Sequence, residues 1–151
     1  VKRLDQLVTR ARNGGEKAHS AEANIRLPEK SFLFPMTVIE AGKDSNSVLD
    51  LDEAFGPLLS LRPFTDSNEI INRVAAERHA LVIYAYGATE TTKESILTRC
   101  AYGSIGFDTT RIQSPSAPTG GFGNAGYGRE GGVYGMREFL ATKNICDVVD
   151  G

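Results

Sequence analysis

The first apolar positions of the chain recur with helical spacing. Four of them stand at i, i+3, i+4 and i+7, and they are Leu4, Leu7, Val8 and Ala11. This spacing places them on one face of an α-helix. Gly14 and Gly15 follow, where the end of a helix favours a left-handed residue. The pattern predicts an amphipathic helix with one buried stripe, followed by a polar, irregular segment over residues 16–31.

Short apolar runs then alternate with amphipathic segments. The runs predict an interrupted strand over 32–39, and strands over 57–64, 81–86 and 103–108. Two capping pairs, Asp66 with Glu69 and Thr91 with Glu94, predict helices between the last three strands. This β-α-β-α-β order favours an α/β fold, a mostly parallel sheet with helices on both faces. A short helix over 133–140 and a terminal strand over 144–149 are also expected.

Composition and charge narrow the classes of protein. The chain has 151 residues, 24% of them charged, and a net charge of −2 without a basic block, which argues against nucleic acid as a partner. The longest apolar run, 80–86, falls far short of the roughly 20 residues of a membrane span. The start of the chain lacks the apolar core of a secretory signal, and the two cysteines form no CxxC pair, so we expect a cytoplasmic protein. The chain opens inside a predicted helix without a Met, which indicates a piece of a longer protein.

Glycine is concentrated between positions 120 and 135, where eight of the sixteen glycines lie. GFGNAG (121–126) and GYGREG (126–131) both match GxGxxG. A dinucleotide fingerprint must join a strand directly to a helix inside a βαβ unit, whereas a proline-broken loop precedes these motifs. The sequence favours a tight glycine loop beneath a pocket or an interface. A small nucleotide binder that uses GFGNAG is the alternative.

Residues able to act as nucleophile, base or metal ligand lack partners in the sequence. The serines have no evident base, the histidines are far apart, and both cysteines are predicted to be inert small hydrophobes. These residues are Ser104, Ser114, His19, His79, Cys100 and Cys146. We therefore predict no catalytic residue and no metal site within this chain.

Glu53 and Phe55 are candidates for binding a ligand rather than for catalysis. They stand in LDLDEAFGP, residues 49–57, directly before a strand. A carboxylate on a loop can accept hydrogen bonds from two neighbouring hydroxyls of a sugar, while an aromatic ring packs on a flat heterocycle. Ribose with an attached base would suit that pair. The alternative is a solvated acidic turn that caps the strand.

Three separated motifs carry a resemblance to a known family. They are Asp52-Glu53-Ala54-Phe55-Gly56-Pro57; the stretch from Pro118 to Gly132, PTGGFGNAGYGREGG; and Phe139-Leu-Ala-Thr-Lys143. In this order and at these intervals, they resemble the C-terminal half of the catalytic domain of the NAD(P)-dependent aldehyde dehydrogenase superfamily. The residues of the REGG and EFLATK motifs are most similar to those of the semialdehyde-oxidising branch.

The resemblance implies a function for the turn and the loop. Glu53 would hold the nicotinamide ribose hydroxyls of NAD or NADP, and Phe55 would pack beside the nicotinamide. The glycine loop would lie near the substrate entrance. The family's cysteine nucleophile and its water-activating glutamate precede this region, so the chain alone is expected to be inactive. It would oxidise an aldehyde to an acid only when completed by the missing N-terminal portion or a partner chain.

The resemblance also implies an organisation. Residues 1–143 would form part of the catalytic domain, and 144–151 would form a strand or tail that pairs with another subunit in a homo-oligomer. Three positions depart from the family: Thr119 replaces a Phe, Ala125 replaces a Ser, and Asp108 replaces an Asn. These departures leave open a non-catalytic binding or assembly module.

Overall fold

A computed structural model describes residues 1–21, 32–43, 47, 50 and 53–147, without the side chains of residues 79 and 80. Within these residues the chain forms two compact units, Val1–Thr65 and Asp66–Gly151. The predicted loop over 42–47 and strand over 144–149 lie partly outside the described residues.

The first unit is built from one helix and a three-stranded sheet. The elements are α1 (Lys2–Asn13), β1 (Lys17–Ser20), β2 (Thr37–Glu40) and β3 (Leu58–Leu61). The order in the sheet is β1-β2-β3, antiparallel between β1 and β2 and parallel between β2 and β3. The prediction of an irregular segment over 16–31 is wrong at β1, because pairing with β2 makes a strand of the polar sequence KAHS.

Helix α1 confirms the helical pattern. All four residues of its apolar stripe are buried, and Ala11 is fully enclosed. The helix ends at Asn13, and Gly15 takes the left-handed conformation with φ 85°. Removing these side chains from water supplies the main stabilisation of a helix this short.

The strands of the first unit bury one face of their sheet. Thr37 and Ile39 are buried, whereas Leu59 and Leu61 on the other face are more than half exposed. Successive side chains of a strand point to opposite faces, so one face of this sheet is buried and the other is exposed to solvent.

The second unit contains three helices and two pairs of strands among the described residues. The elements are α2 (Ser67–Ala75), β4 (His79–Ala80), β5 (Val82–Ala85), α3 (Glu90–Arg99), β6 (Ser104–Phe107), β7 (Phe122–Gly123) and α4 (Gly132–Arg137). Strands β5 and β6 are parallel, and β4 and β7 are antiparallel. Ile71, Ile96 and Cys100 form the buried core between α2 and α3, with partly buried residues such as Tyr102 packed against it.

Of the two predicted helix N-caps, one is confirmed and the other is wrong. Asp66 accepts a hydrogen bond from the backbone N–H of Asn68 at 2.9 Å and begins α2 as predicted. Helix α3 is capped by Thr89, which accepts from the N–H of Thr92 at 3.2 Å, and not by Thr91. The chain leaves β5 through a turn at Gly87, and α3 begins at Glu90, one residue before the predicted capping motif.

The α/β class is confirmed, since strands and helices alternate and two of the four described pairings are parallel. The expected helix over 133–140 is shorter, at Gly132–Arg137, and residues 141–147 form no helix or strand. No helix in the described part of the chain is long and apolar enough to cross a bilayer.

Candidate functional site

Residues 53–57 form a turn that is tied to α1. Arg3 donates through Nη1 to the carbonyl oxygen of Glu53 at 2.9 Å, and through Nη2 to the carbonyl oxygen of Ala54. At the other end, the N–H of Thr37 donates to the carbonyl oxygen of Pro57 at 2.9 Å. The turn is therefore held by a helix and a strand that precede it in sequence.

The backbone inside the turn is strained. Phe55 has φ 43°, in the left-handed region that aromatic residues rarely adopt. Gly56 follows, and a Cβ there would stand 2.7 Å from Cδ1 of Leu4, so any other residue at this position would require the Leu4 side chain to shift. Such strain persists where surrounding contacts over-determine the backbone, and Arg3 and Leu4 supply those contacts.

The functional groups of the turn face solvent. Phe55 is 85% exposed, and Glu53 is exposed. Within the residues that the structure describes, the Glu53 carboxylate makes no hydrogen bond or ion pair. An unoccupied carboxylate and an unpacked ring, two residues apart on an anchored turn, can accept hydroxyl hydrogen bonds and contact a flat ring. Asp52, the other acid of the motif, lies outside the described residues.

The glycine loop is organised by one arginine. Arg129 donates through Nη1 to the carbonyl oxygens of Gly121 at 2.9 Å and Gly128 at 2.7 Å. Its guanidinium lies 4.9 Å from the centroid of the Phe122 ring, within the range of a cation–π contact. Thr119 and Glu130 exchange two backbone hydrogen bonds of 2.7 Å and close the base of the loop.

Neither GxGxxG motif has the context of a dinucleotide fingerprint. The strand within GFGNAG, β7, has two residues and pairs antiparallel with β4. The helix after GYGREG, α4, has only six residues. A parallel strand leading directly into a long helix is required for pyrophosphate binding at a helix N-terminus, so the structure argues against a nucleotide site here.

Two open grooves share Thr119 and Glu130, at the base of the glycine loop. One, of about 440 Å³, is lined by residues that include Leu81, Tyr127, Arg129 and Glu138. The other, of about 300 Å³, is lined by Gln113, Ser114, Pro115, Thr119, Glu130 and Gly131. The expectation of a glycine loop beside a pocket is confirmed to this extent.

The two cysteines differ in exposure. Cys100 is buried, 6% exposed, and its burial raises the pKa of the thiol, with Arg99 opposing part of that rise. The predicted burial is confirmed for Cys100, and its inertness stays a prediction. The predicted burial is wrong for Cys146, which is exposed on residues 141–147, a segment without helix or strand.

The other candidates remain apart. His19 faces Glu40, with 3.3 Å between Nε2 and Oε2, across the pairing of β1 and β2. The side chain of His79 lies outside the described residues. In the described part of the chain, no group of three His, Cys, Asp or Glu side chains is placed to hold a metal ion.

Sequence reasoning missed the two arginines that hold these segments. Arg129 belongs to the GRE motif, which could have marked it as a structural residue of the loop. Arg3 is fifty positions from Glu53, and no local pattern signals that contact.

Comparison with known proteins decides the family. The model of the aldehyde dehydrogenase family matches residues 1–145 of this chain. The chain belongs to the aldehyde dehydrogenase family. Aldehyde dehydrogenases of known structure share its fold: that of Brucella melitensis biovar abortus 2308 superposes with a TM-score of 0.81 at 27% identity, covering 99% of this chain and 30% of the other.

Curated relatives of this aldehyde dehydrogenase chain include semialdehyde dehydrogenases. A probable succinate-semialdehyde dehydrogenase [NADP(+)] of Sinorhizobium fredii is 29% identical over 137 residues, covering 91% of this chain and 26% of the relative. The succinate-semialdehyde dehydrogenase [NADP(+)] of Escherichia coli is 30% identical over 132 residues, covering 87% and 26%. The chain thus spans about a quarter of the length of these relatives, and the resemblance to the semialdehyde-oxidising enzymes is confirmed.

Proposed function

We propose that this chain is the C-terminal part of the catalytic unit of an NAD(P)-dependent aldehyde dehydrogenase that oxidises a semialdehyde to a carboxylic acid. In this proposal the turn of residues 53–57 forms one wall of the coenzyme cleft. The observation that carries it is the turn itself: the Glu53 carboxylate and the Phe55 ring are both exposed on a backbone fixed by Arg3.

The side chains of the turn suit the ribose and nicotinamide of the coenzyme. Glu53 would accept hydrogen bonds from the two ribose hydroxyls, which fixes the sugar and the direction of the attached ring. Phe55 would cover one side of the nicotinamide end. NAD or NADP, when bound, supplies the acceptor for hydride; the residues of this chain bind and orient it.

The nucleophile would be contributed from outside this chain. Cys100 is buried with a raised pKa, so little reactive thiolate forms near neutral pH. We infer that the missing N-terminal portion, or a partner chain, supplies the attacking cysteine and the water-activating glutamate. Residues 1–143 would then be one part of a catalytic domain, and 144–151 would pair with a neighbouring subunit in a homo-oligomer.

A chimera tests the coenzyme role. This chain would replace the matching quarter of the E. coli succinate-semialdehyde dehydrogenase, and folding would be checked by circular dichroism and native mass. In the folded chimera, Glu53→Gln should raise the coenzyme KM roughly tenfold, since it weakens charge-assisted hydrogen bonds worth about 1.4 kcal/mol. Glu94→Gln, which changes an exposed acid on α3, is the matched control.

The outcomes separate the proposals. An active chimera whose coenzyme KM is insensitive to Glu53→Gln would overturn the coenzyme role of the turn. Aldehyde oxidation by the purified 151-residue chain alone would overturn the inference that its nucleophile comes from elsewhere. A folded chimera that binds coenzyme but never turns over would favour the alternative, a non-catalytic binding or assembly module.

A further inference from the structure

Asp108 joins the ends of two parallel strands. It directly follows β6, and its backbone N–H donates to the carbonyl oxygen of Ala85, the last residue of β5, at 2.9 Å. Its side chain continues the link, because Oδ1 accepts a hydrogen bond from the N–H of Gly87 at 2.7 Å. The carboxylate therefore fixes the turn between β5 and α3 to the end of β6.

The backbone at Asp108 also sets the direction of the next segment. Asp108 has φ 53°, in the left-handed region, and this reverses the chain as it leaves β6. Residues 109–112 fold back over the strand: a Cβ on Gly106 would lie 2.7 Å from the carbonyl oxygen of Thr109 and 2.9 Å from Cγ2 of Ile112. The reversal thus depends on a left-handed residue at 108 and on a bare backbone at 106.

The reversed segment leads to the smaller groove. Gln113, Ser114 and Pro115 form one wall of the 300 Å³ groove. The far end of this wall is held by a hydrogen bond from the N–H of Gly132 to the carbonyl oxygen of Pro115 at 2.9 Å. The other end of the wall, at Gln113, is connected to Asp108 by residues 109–112. In open α/β sheets, ligands bind at the carboxyl ends of the strands, which is where this wall begins.

We propose that Asp108 is a positioning residue, whose carboxylate pins the β5–α3 turn to the end of β6 and so sets the groove wall formed by residues 113–115. The inference rests on the proposed function only in that the substrate would approach through this groove. The positioning itself belongs to the chain alone and can be measured without catalysis.

Residue chemistry explains why an acid can serve at this position. Asp and Asn tolerate the left-handed region better than other residues with side chains, and both carry an Oδ1 that can accept from Gly87. The cation of Lys93, which forms an ion pair with Glu90, lies near this end of β6. Nζ of Lys93, on α3, lies 5.8 Å from the ring centroid of Phe107, the residue before Asp108. The pKa of Lys93 is raised mainly by Glu90, and Asp108 adds to that rise.

Amide hydrogen exchange of the 151-residue chain, read residue by residue by NMR, tests the proposal. Asp108→Ala should speed exchange at Gly87 at least tenfold and raise exchange over residues 109–114, because both the acceptor and the tolerance for φ 53° are lost. Asp108→Asn should keep exchange at Gly87 within about threefold of the parent, since Oδ1 remains. Thr110→Ala, which removes an exposed side chain from the same segment, is the control and should change neither site.

Each result decides the question. Local loss of protection in Asp108→Ala, with rescue by Asn and an unchanged core at Ile71 and Ile96, supports the positioning role. If Asp108→Ala unfolds the unit, the Asn variant alone decides: protection at Gly87 retained supports the role, and protection lost overturns it. Unchanged exchange at Gly87 in Asp108→Ala would also overturn it. No outcome depends on dehydrogenase activity, so failure here leaves the proposed function standing.

Discussion

Arg3 donates from Nη1 to the carbonyl oxygen of Glu53 at 2.9 Å, and this contact joins the first turn of α1 to the turn that carries the candidate coenzyme residues. The same guanidinium reaches the carbonyl oxygen of Ala54. Among the residues that the structure describes, both of these Arg3 contacts go to backbone oxygens of the turn and not to the Glu53 carboxylate. The helix thereby fixes the position of the carboxylate without neutralising it.

Replacing Arg3 should loosen the turn. We expect Arg3→Ala to lower the free energy of unfolding by about 1–2 kcal/mol, since two hydrogen bonds are lost at a partly solvated site. Cleavage by chymotrypsin after the exposed Phe55 should become faster. Lys2→Ala, at the exposed neighbouring position, should leave both urea denaturation and proteolysis unchanged. Equal cleavage rates in the Arg3 and Lys2 variants would contradict the anchoring role.

The left-handed backbone of Phe55 predicts a stabilising substitution. Phe55→Asn should raise the free energy of unfolding by about 0.5–1 kcal/mol, because Asn tolerates φ 43° and the exposed ring contributes little packing. Phe32→Asn is the matched control, because it removes another phenylalanine ring that is almost fully exposed, at 97%. Thermal denaturation of the three proteins distinguishes them. A loss of stability in Phe55→Asn would show that the ring packs in solution.

The buried carboxylate of Glu16 predicts a second stabilising change. Glu16 is 9% exposed, and neither carboxylate oxygen has a hydrogen-bond partner in the described structure. Glu16→Leu should raise the free energy of unfolding by about 1–3 kcal/mol in urea titrations, because it removes an unsatisfied buried polar group of similar volume. Lys17→Leu, at the exposed next position, should have a small effect. Equal effects of the two variants would point to general hydrophobicity instead.

The two cysteines should differ in reactivity and pH dependence. Iodoacetamide at pH 8 should modify Cys146 in the folded chain and reach Cys100 only after unfolding, because Cys100 is buried. Burial raises the pKa of the Cys100 thiol, so the unfolded chain releases this proton at lower pH than the folded one. Its contribution to stability is therefore intact below pH 9.0, the ordinary value of the thiol, and falls as pH rises above it.

Denaturation of Cys100→Ala measures this contribution. The variant should lose the part of the alkaline decline that comes from the thiol, whereas Cys146→Ala should retain the full decline. Peptide mass spectrometry measures how much of each cysteine is modified in the folded chain. Equal modification of the two would contradict the burial of Cys100.

The start of α3 shows where local sequence stops being sufficient. Thr91 with Glu94 is the better capping motif by composition, yet Thr89 caps the helix. Gly87, two residues before Thr89, has φ 63° and donates its N–H to Asp108, twenty-one positions further on. The backbone that enters α3 is thus held by a contact that local spacing does not reveal.

The sequence by itself determined the elements whose cause is local. The apolar stripe of α1, the Asp66 cap of α2 and the strand over 103–108 follow from spacing and side-chain chemistry within a few residues. The motif of residues 52–57, with those of 118–132 and 139–143, also sufficed to point to the family, which the match over residues 1–145 confirmed.

Only the tertiary structure decided how the turn and the glycine loop are held. Arg3 reaches across fifty positions to Glu53, Gly56 passes against Leu4, and pairing with β2 turns the polar KAHS segment into β1. The exposure of Cys146 was likewise decided by the tertiary structure. Each depends on which distant backbone or side-chain atoms come into contact when the chain folds, and hydrophobic periodicity carries no record of those partners.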